Sequence, residues 1–374
     1  MWMEGSTSGV YRMWFQHMDI NRIPFYQYNT IIVGTGAAGL NAAVTLHKLG
    51  QKNIALITEG RYMGTSRNTG SDKQTYYKMT QCGSEPDSVR KMAKTLFEGG
   101  CVDGDIAMAE AAGSLRAFYH LVDIGVPFPF NKSGEYVGYK TDHDPLKRGI
   151  SAGPLTSKYM TECLERQAEE RGIPLFDGYQ AVRLLTEEKD GDKRAAGIIA
   201  LNKQKAASPD ERYAVFSAVN IIWATGGEAG MYQASVYPVS QTGGMGVLLE
   251  AGAVAKNLTE SQFGIASVKY RWNLSGTFQQ CLPRYLSAEQ DGSHEREFLN
   301  DYFDTPRQLL TAIFLKGYQW PFDPRKVEGQ GSSLIDLLVY QETVLKGRRV
   351  FLDFMHNPSP LVEGGNVSFR YLAG

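Results

Sequence analysis

The stretch from Thr30 to Glu59 constrains this chain more than any other. Thr30-Ile31-Ile32-Val33 is apolar and β-branched, the pattern of a buried strand. It runs directly into Gly34-Thr35-Gly36-Ala37-Ala38-Gly39, a G-x-G-x-x-G turn. Leu40 to Leu49 then carries a helical pattern that Gly50 stops. A second apolar run, Ile54 to Ile57, leads to Glu59, which lies 20 residues beyond Gly39. At that spacing an acid meets a ribose hydroxyl in a dinucleotide-binding βαβ unit. Gly34 serves the tight turn, Gly36 the approach of a pyrophosphate to the backbone, and Gly39 the close packing of helix on strand. The free amides and positive dipole at the start of the helix favour the phosphates. The chain has 40 glycines in 374 residues, so the bare motif is weak. The strand, helix, second strand and acid around it carry the reading. A glycine-rich turn that binds nothing is the alternative.

Composition narrows the partners. The 39 basic and 40 acidic residues leave a formal net charge of −1, which gives no reason to expect nucleic acid or an anionic membrane. Cys82, Cys101, Cys163 and Cys281 are widely spaced, and the six histidines are scattered. No metal centre or disulfide pair is expected, and reduced thiols suit a cytoplasmic setting. No run reaches the ~18 apolar residues of a membrane span. The first 28 residues carry no signal-peptide core.

The length predicts more than one domain. Residues 1–28 read as an irregular extension and 29–261 as an α/β domain. Within the latter, 60–73 is a Gly/Ser/Thr/Asn-rich loop, 86–125 two helices, and Thr156 to Arg171 a further helix. Short antiparallel strands between Leu175 and Ala200 suggest a small inserted sheet. Val215 to Ala224 is another strand, ending in Ala224-Thr225-Gly226-Gly227. Beyond residue 262 aromatics, charges and prolines rise and the βα alternation fades, which marks a second domain to residue 350.

The order of these motifs resembles the flavoprotein subunit of succinate dehydrogenase and fumarate reductase, with L-aspartate oxidase as a relative. It rests on the fingerprint, the loop Met63-Gly64-Thr65-Ser66-Arg67-Asn68-Thr69-Gly70-Ser71-Asp72-Lys73-Gln74, Ala224-Thr225-Gly226-Gly227, and Thr242-Gly243 followed by Ala251-Gly252-Ala253. The loop is similar to that of a divergent bacterial branch of FAD-binding oxidoreductases. The resemblance implies a doubly wound, Rossmann-like FAD domain with the inserted sheet, and an α+β capping domain that closes over a dicarboxylate. It implies that Gly34, Gly36, Ala37, Ala38 and Gly39 hold the pyrophosphate and Glu59 the adenosine ribose. Gly60, Ser66, Arg67, Asn68, Thr69, Gly70 and Ser71 would follow the ribityl chain and the flavin, Ala181 the adenine. Ala224, Thr225, Gly226, Thr242 and Gly243 would contact the cofactor backbone.

The departures from the family shape the expectation further. Asn68 stands where respiratory members attach FAD through a histidine, so the flavin here is expected to be non-covalent. Gln262-Phe263-Gly264-Ile265-Ala266 replaces a histidine-bearing substrate string. Ser332-Ser333-Leu334-Ile335-Asp336 lacks the arginine of a Ser-Arg-Asp proton donor, and a leucine transfers no proton. Succinate and fumarate are therefore disfavoured. Residues 351–374 resemble the start of a return segment to the FAD domain, so the chain reads as C-terminally truncated.

Three weaker catalytic candidates remain. Arg284 and Arg296, in the expected cap, can clamp a carboxylate, and each also reads as a surface charge. His143, between Asp142 and Asp144, can act as a base, or lie in a solvated loop. Lys73 is a candidate to stabilise the reduced flavin. Tyr76 and Tyr77 either line the site or pack.

The expected function is an FAD-dependent oxidoreductase passing hydride between a small, anionic organic substrate and non-covalent FAD, with a separate electron donor or acceptor. Two alternatives stay open: an NAD(P)-dependent dehydrogenase, and a truncated, non-catalytic flavin-binding module or assembly subunit.

Overall fold

The computed structural model describes residues 23–69, 74–100, 102–141, 144, 146–227, 236, 243–257, 265–270, 272–319 and 322–359. In chain order the first part contains β1 (Phe25–Val33), α1 (Ala37–Lys48), β2 (Ile54–Thr58), α2 (Thr65–Asn68) and β3 (Tyr76–Tyr77). It continues with α3 (Val89–Glu98), α4 (Gly104–Asp123), β4 (Gly149–Ile150), α5 (Thr156–Glu170) and β5 (Leu175–Asp177). Then come β6 (Tyr179–Lys189), β7 (Asp192–Asn202), β8 (Tyr213–Trp223) and α6 (Met245–Glu250).

One six-stranded sheet organises this part, in the order β5-β2-β1-β8-β7-β6. β5, β2, β1 and β8 run parallel. β7 and β6 continue the sheet antiparallel. The expected inserted sheet is therefore continuous with the parallel one: β8 pairs with β1 on one edge and β7 on the other. Sequence pattern alone does not reveal this, because it shows strands but not their partners.

β1 begins at Phe25, four residues before the expected domain boundary. Phe25 to Tyr28 pair with Val215 to Ala218 of β8. Tyr26 stacks on Phe216 with ring centroids 4.9 Å apart, and Tyr28 meets Phe176 edge-on at 6.1 Å. The segment looked irregular because its order comes from these distant aromatics.

Both faces of the sheet are covered. On one, Ile32, Leu56 and Ile54 pack with Leu40 and Val44 of α1, Phe118 and Leu121 of α4, and Leu164 of α5. On the other, Ile31, Val33 and Ile57 pack with Ile198, Ala200 and Phe216. This explains the unbroken apolar runs of β1 and β2, since a strand covered on both sides has no polar face. Tyr76 packs against Phe118 and Phe128, and the Tyr77 hydroxyl accepts from Arg148 at 3.2 Å. Both tyrosines take the packing role.

The second part comprises α7 (Thr277–Gln280), β9 (Arg284–Ala288), β10 (Arg296–Glu297), α8 (Pro306–Lys316), α9 (Leu334–Tyr340) and β11 (Arg349–Asp353). Its three strands form a sheet of order β10-β9-β11. Tyr285, Phe298, Phe303, Leu309, Ile313, Ile335 and Leu338 form a core of its own. β11 pairs with β9 from Arg349 to Asp353, so this unit reaches past the expected boundary at 350. Residues 351–353 belong to its sheet. Among the described residues no helix is long and apolar enough to cross a membrane, and no cluster of metal-ligating side chains is present. Cys82, Cys163 and Cys281 are free.

Candidate dinucleotide site

The sequence motifs converge at the carboxyl ends of β1 and β8. β1 has β2 on one side and β8 on the other. The chain thus leaves this point in opposite directions, and parallel α/β sheets take their ligands in the crevice that results. The Gly34 amide donates to the Ile57 carbonyl, and the Ala224 amide to the Val33 carbonyl, each at 2.8 Å.

The three fingerprint glycines are held for different reasons. Gly34 has φ +110°, and a Cβ there would collide with the Ala224 carbonyl; one on Gly39 would collide with the Gly34 carbonyl. The fold itself demands glycine at both. At Gly36 a Cβ would meet only Ser66 Oγ, at 3.4 Å. There the protein's own packing leaves room, and the room lies at the N-terminus of α1. Gly36 caps that helix without a side chain, and no acidic residue occupies its first turn. The Ala37 amide donates to Ser66 Oγ at 3.4 Å. Ala38 follows on the same turn. An uncapped helix start beside open space suits a diphosphate.

Glu59 and Gly60 follow β2 directly. Glu59 Oε1 accepts from Lys203 Nζ at 3.0 Å. Buried Thr35 donates to Thr58 at 3.0 Å, tying the turn to the strand that presents Glu59. Sequence reasoning missed both threonines and Lys203. Thr58 immediately before the acid was a visible signal, whereas Lys203 comes from a distant turn and carried none.

The loop after Glu59 is fastened to α5. Arg67 Nη2 donates to Glu165 Oε2 at 2.5 Å and Arg61 Nε to Glu165 Oε1 at 2.5 Å. Arg61 also reaches Glu169, and its amide donates to Asp177 at 2.8 Å. Gln74 donates to the Thr69 carbonyl at 2.9 Å and accepts from the Ser157 amide at 2.9 Å. Arg67, a cofactor candidate, thus turns its Nη edge to α5, while its Nε is buried with no hydrogen-bond partner among the described residues. Asn68 donates to the carbonyls of Tyr62 at 2.6 Å and Gly64 at 3.0 Å, and Thr69 to that of Thr65 at 2.7 Å. Asn68→Asp turns two donors into acceptors facing carbonyls. It is expected to speed amide hydrogen exchange across residues 60–69 roughly fivefold, read by mass spectrometry, as a loss of about 1 kcal/mol of local stability.

Ala181 sits on β6 beside a break in register with β7, between Ala181 and Arg183. It packs against the same core as Ile31 and Val33. Ala224, Thr225 and Gly226 leave β8 at the crevice, Gly226 with φ +86°. Gly243, with φ +75°, leads into α6. Gly244 lies over Trp223 and Thr225: a Cβ there would be 2.7 Å from Trp223 Nε1 and from Thr225 Oγ1. Gly70, Ser71, Lys73, His143, Thr242 and residues 262–264 lie outside the described residues.

The arginine candidates sit in the second unit, each held by acids. Arg284 pairs with Glu297 at 2.8 Å and Asp353 at 3.1 Å. Arg296 pairs with Asp301 at 2.7 Å and Glu342 at 3.2 Å. An arginine answered by two carboxylates has little charge left for a substrate's, so these contacts give both a bracing role. The Ser332-to-Asp336 string is also internal: Ser332 donates to Gln319 at 2.7 Å, Ser333 accepts from the Asp323 amide at 3.0 Å, and Asp336 takes the buried Lys316 ammonium.

Comparison with known proteins gives the same picture. A family model described as FAD binding domain matches residues 29–283. L-aspartate oxidase of Agrobacterium fabrum is 28% identical over 242 residues, 63% of this chain and 42% of that protein. The enzyme of Pseudomonas aeruginosa is 29% identical over 255 residues, 64% and 44% respectively. The chain thus spans less than half the length of these curated relatives. Among solved structures, an E. coli quinol fumarate reductase variant superposes with TM-score 0.60 at 18% identity, over 89% of this chain and 59% of the other. A flavocytochrome c3 fumarate reductase superposes with TM-score 0.59 at 18% identity, over 78% and 51%. These superpositions speak for the fold.

Proposed function

Because this chain belongs to the FAD binding domain family, its dinucleotide is FAD, and we propose that it binds FAD non-covalently and oxidises or reduces a small carboxylate. The observation that carries the reading is the uncapped start of α1, opened at Gly36 and faced by Ser66. The α1 amides and dipole would meet the diphosphate, and Glu59 would accept from the adenosine ribose. The loop from Gly60 to Thr69 would run beside the remainder, held in place through Arg61, Arg67 and Gln74 on α5. When bound, the flavin supplies the redox chemistry, and the protein supplies binding, orientation and electrostatics. Asn68, already committed to two carbonyls, has no group that could bond a flavin covalently.

A carboxylate substrate is supported by the names of the relatives, which oxidise L-aspartate, and of the fold neighbours, which reduce fumarate. The family match answers the NAD(P) alternative. Purified protein is expected to be yellow, or to turn so with added FAD, and acid precipitation should leave the pellet colourless with all flavin in the supernatant. Flavin in the pellet would refute the non-covalent reading. Anaerobic titration with L-aspartate and other small carboxylates, following bleaching of oxidised flavin and return of the band in dithionite-reduced flavin, tests the substrate class; neither change with any of them would reject it.

Glu59→Gln keeps the shape of the ribose acceptor and removes its charge. A charge-assisted hydrogen bond contributes about 1.5–3 kcal/mol, so FAD affinity should fall roughly ten- to hundredfold, read by quenching of flavin fluorescence. The substitution also frees Lys203 from its partner.

A further inference from the structure

Resting on the FAD reading, we infer that the indole N–H of Trp223 is a hydrogen-bond donor to an oxygen of the bound dinucleotide. Trp223 is the last residue of β8 and lies in register beside Val33, the last residue of β1. It therefore stands at the switch point of the sheet, one residue from Ala224, whose carbonyl crowds Gly34. Its ring is half-buried against the core that includes Val33 and Ala181. Its Nε1 is fully buried and has no hydrogen-bond partner among the described residues.

Such a donor is unusual. Buried N–H groups are almost always paired, and an unpaired one costs free energy that a purely structural tryptophan would have no reason to incur. A phenylalanine would give similar packing without that cost. The cover over this donor is also specific. Gly244 presses on Nε1 and on the Thr225 hydroxyl, and any side chain at 244 would place its Cβ 2.7 Å from both. Gly243, at φ +75°, gives the turn a backbone state that other residues rarely adopt. Residue 244 is thus held to glycine where it covers the indole N–H. The matching ligand chemistry is an oxygen acceptor, from the diphosphate or from a ribose or ribityl hydroxyl.

The test uses the full chain. Its five tryptophans (Trp2, Trp14, Trp223, Trp272 and Trp320) give separate indole resonances in ¹⁵N-labelled protein, assigned by single Trp→Phe variants. FAD should move the Trp223 resonance downfield, the mark of a new hydrogen bond. ADP moving it too assigns the acceptor to the adenosine diphosphate half, and only FAD moving it assigns the acceptor to the ribityl half. Trp223→Phe should keep the melting temperature of the flavin-free protein while weakening FAD about tenfold, as expected for one lost bond to the ligand. A Trp223 resonance that stays put at FAD saturation overturns the inference. This is read in the native protein, so it holds even if the variant folds poorly. A native protein that takes up no FAD would instead refute the cofactor reading.

Discussion

Gly36→Val is expected to leave the fold intact and to abolish retention of FAD. The contrast with its neighbours makes this informative. A Cβ on Gly34 or Gly39 collides with backbone, so alanine at either position should destabilise the protein with or without flavin. At Gly36 the nearest atom to an added Cβ is the end of the flexible Ser66 side chain, 3.4 Å away. A valine there occupies the room beside the uncapped α1 amides and keeps a diphosphate from reaching them. Loss of two or more amide–phosphate bonds, about 3 kcal/mol or more, corresponds to over a hundredfold in affinity. Purified Gly36→Val should be colourless, give the native far-ultraviolet circular dichroism and melt near the flavin-free native protein. A yellow Gly36→Val protein would mean that the phosphates do not sit on α1.

The second large effect is on stability. Arg148 and Asp87 are both buried and paired through two bonds, Nη2–Oδ1 at 2.7 Å and Nε–Oδ2 at 2.8 Å. Arg148 also donates to Thr95 at 2.9 Å and to Asp144 at 3.3 Å. The group ties the start of α3 to β4, since Asp87 additionally accepts from the amides of Thr80 and Ser88. Asp87→Ala leaves a buried guanidinium with the Thr95 and Tyr77 hydroxyls and, as its remaining carboxylate, the longer Asp144 contact. Breaking a buried pair costs about 3–5 kcal/mol, and Asp144 keeps this case near the lower end. The melting temperature should drop by roughly 6–12 °C, by similar amounts with and without FAD. A drop under about 2 °C would mean that water reaches Arg148.

The same pair sets an acid limit. Burial pushes the Asp87 carboxyl up, but the Arg148 guanidinium and the two amides outweigh it and hold the group below its ordinary value. A depressed carboxylate contributes stability above its unfolded pKa, about 3.9, and loses it as pH falls through the folded value. Native protein should therefore lose stability on acidification below about pH 4 more steeply than Asp87→Asn, measured by urea melts.

Much of the candidate site was legible because its signals are local. The turn at Gly34, the helix start at Gly36, the close packing at Gly39 and the acid after β2 all fall within one βαβ unit, where backbone sterics and spacing dictate the residue types. What escaped came from far along the chain. Lys203 reaches Glu59 from a turn after β7, and Arg67 is drawn to Glu165. Arg284 and Arg296, read as candidate carboxylate clamps or surface charges, meet acids supplied by other parts of their unit.

The sequence by itself determined the βαβ unit, its glycines and its acid, and with them the dinucleotide class of the ligand. Short-range geometry and hydrogen bonding leave few alternatives for such a pattern. Only the tertiary structure decided that β6 and β7 extend the main sheet, that Phe25 starts the first strand, and which charged side chains are already paired. Those outcomes depend on which distant surfaces meet, and on the free energy of burying charge in pairs, neither of which a linear pattern encodes.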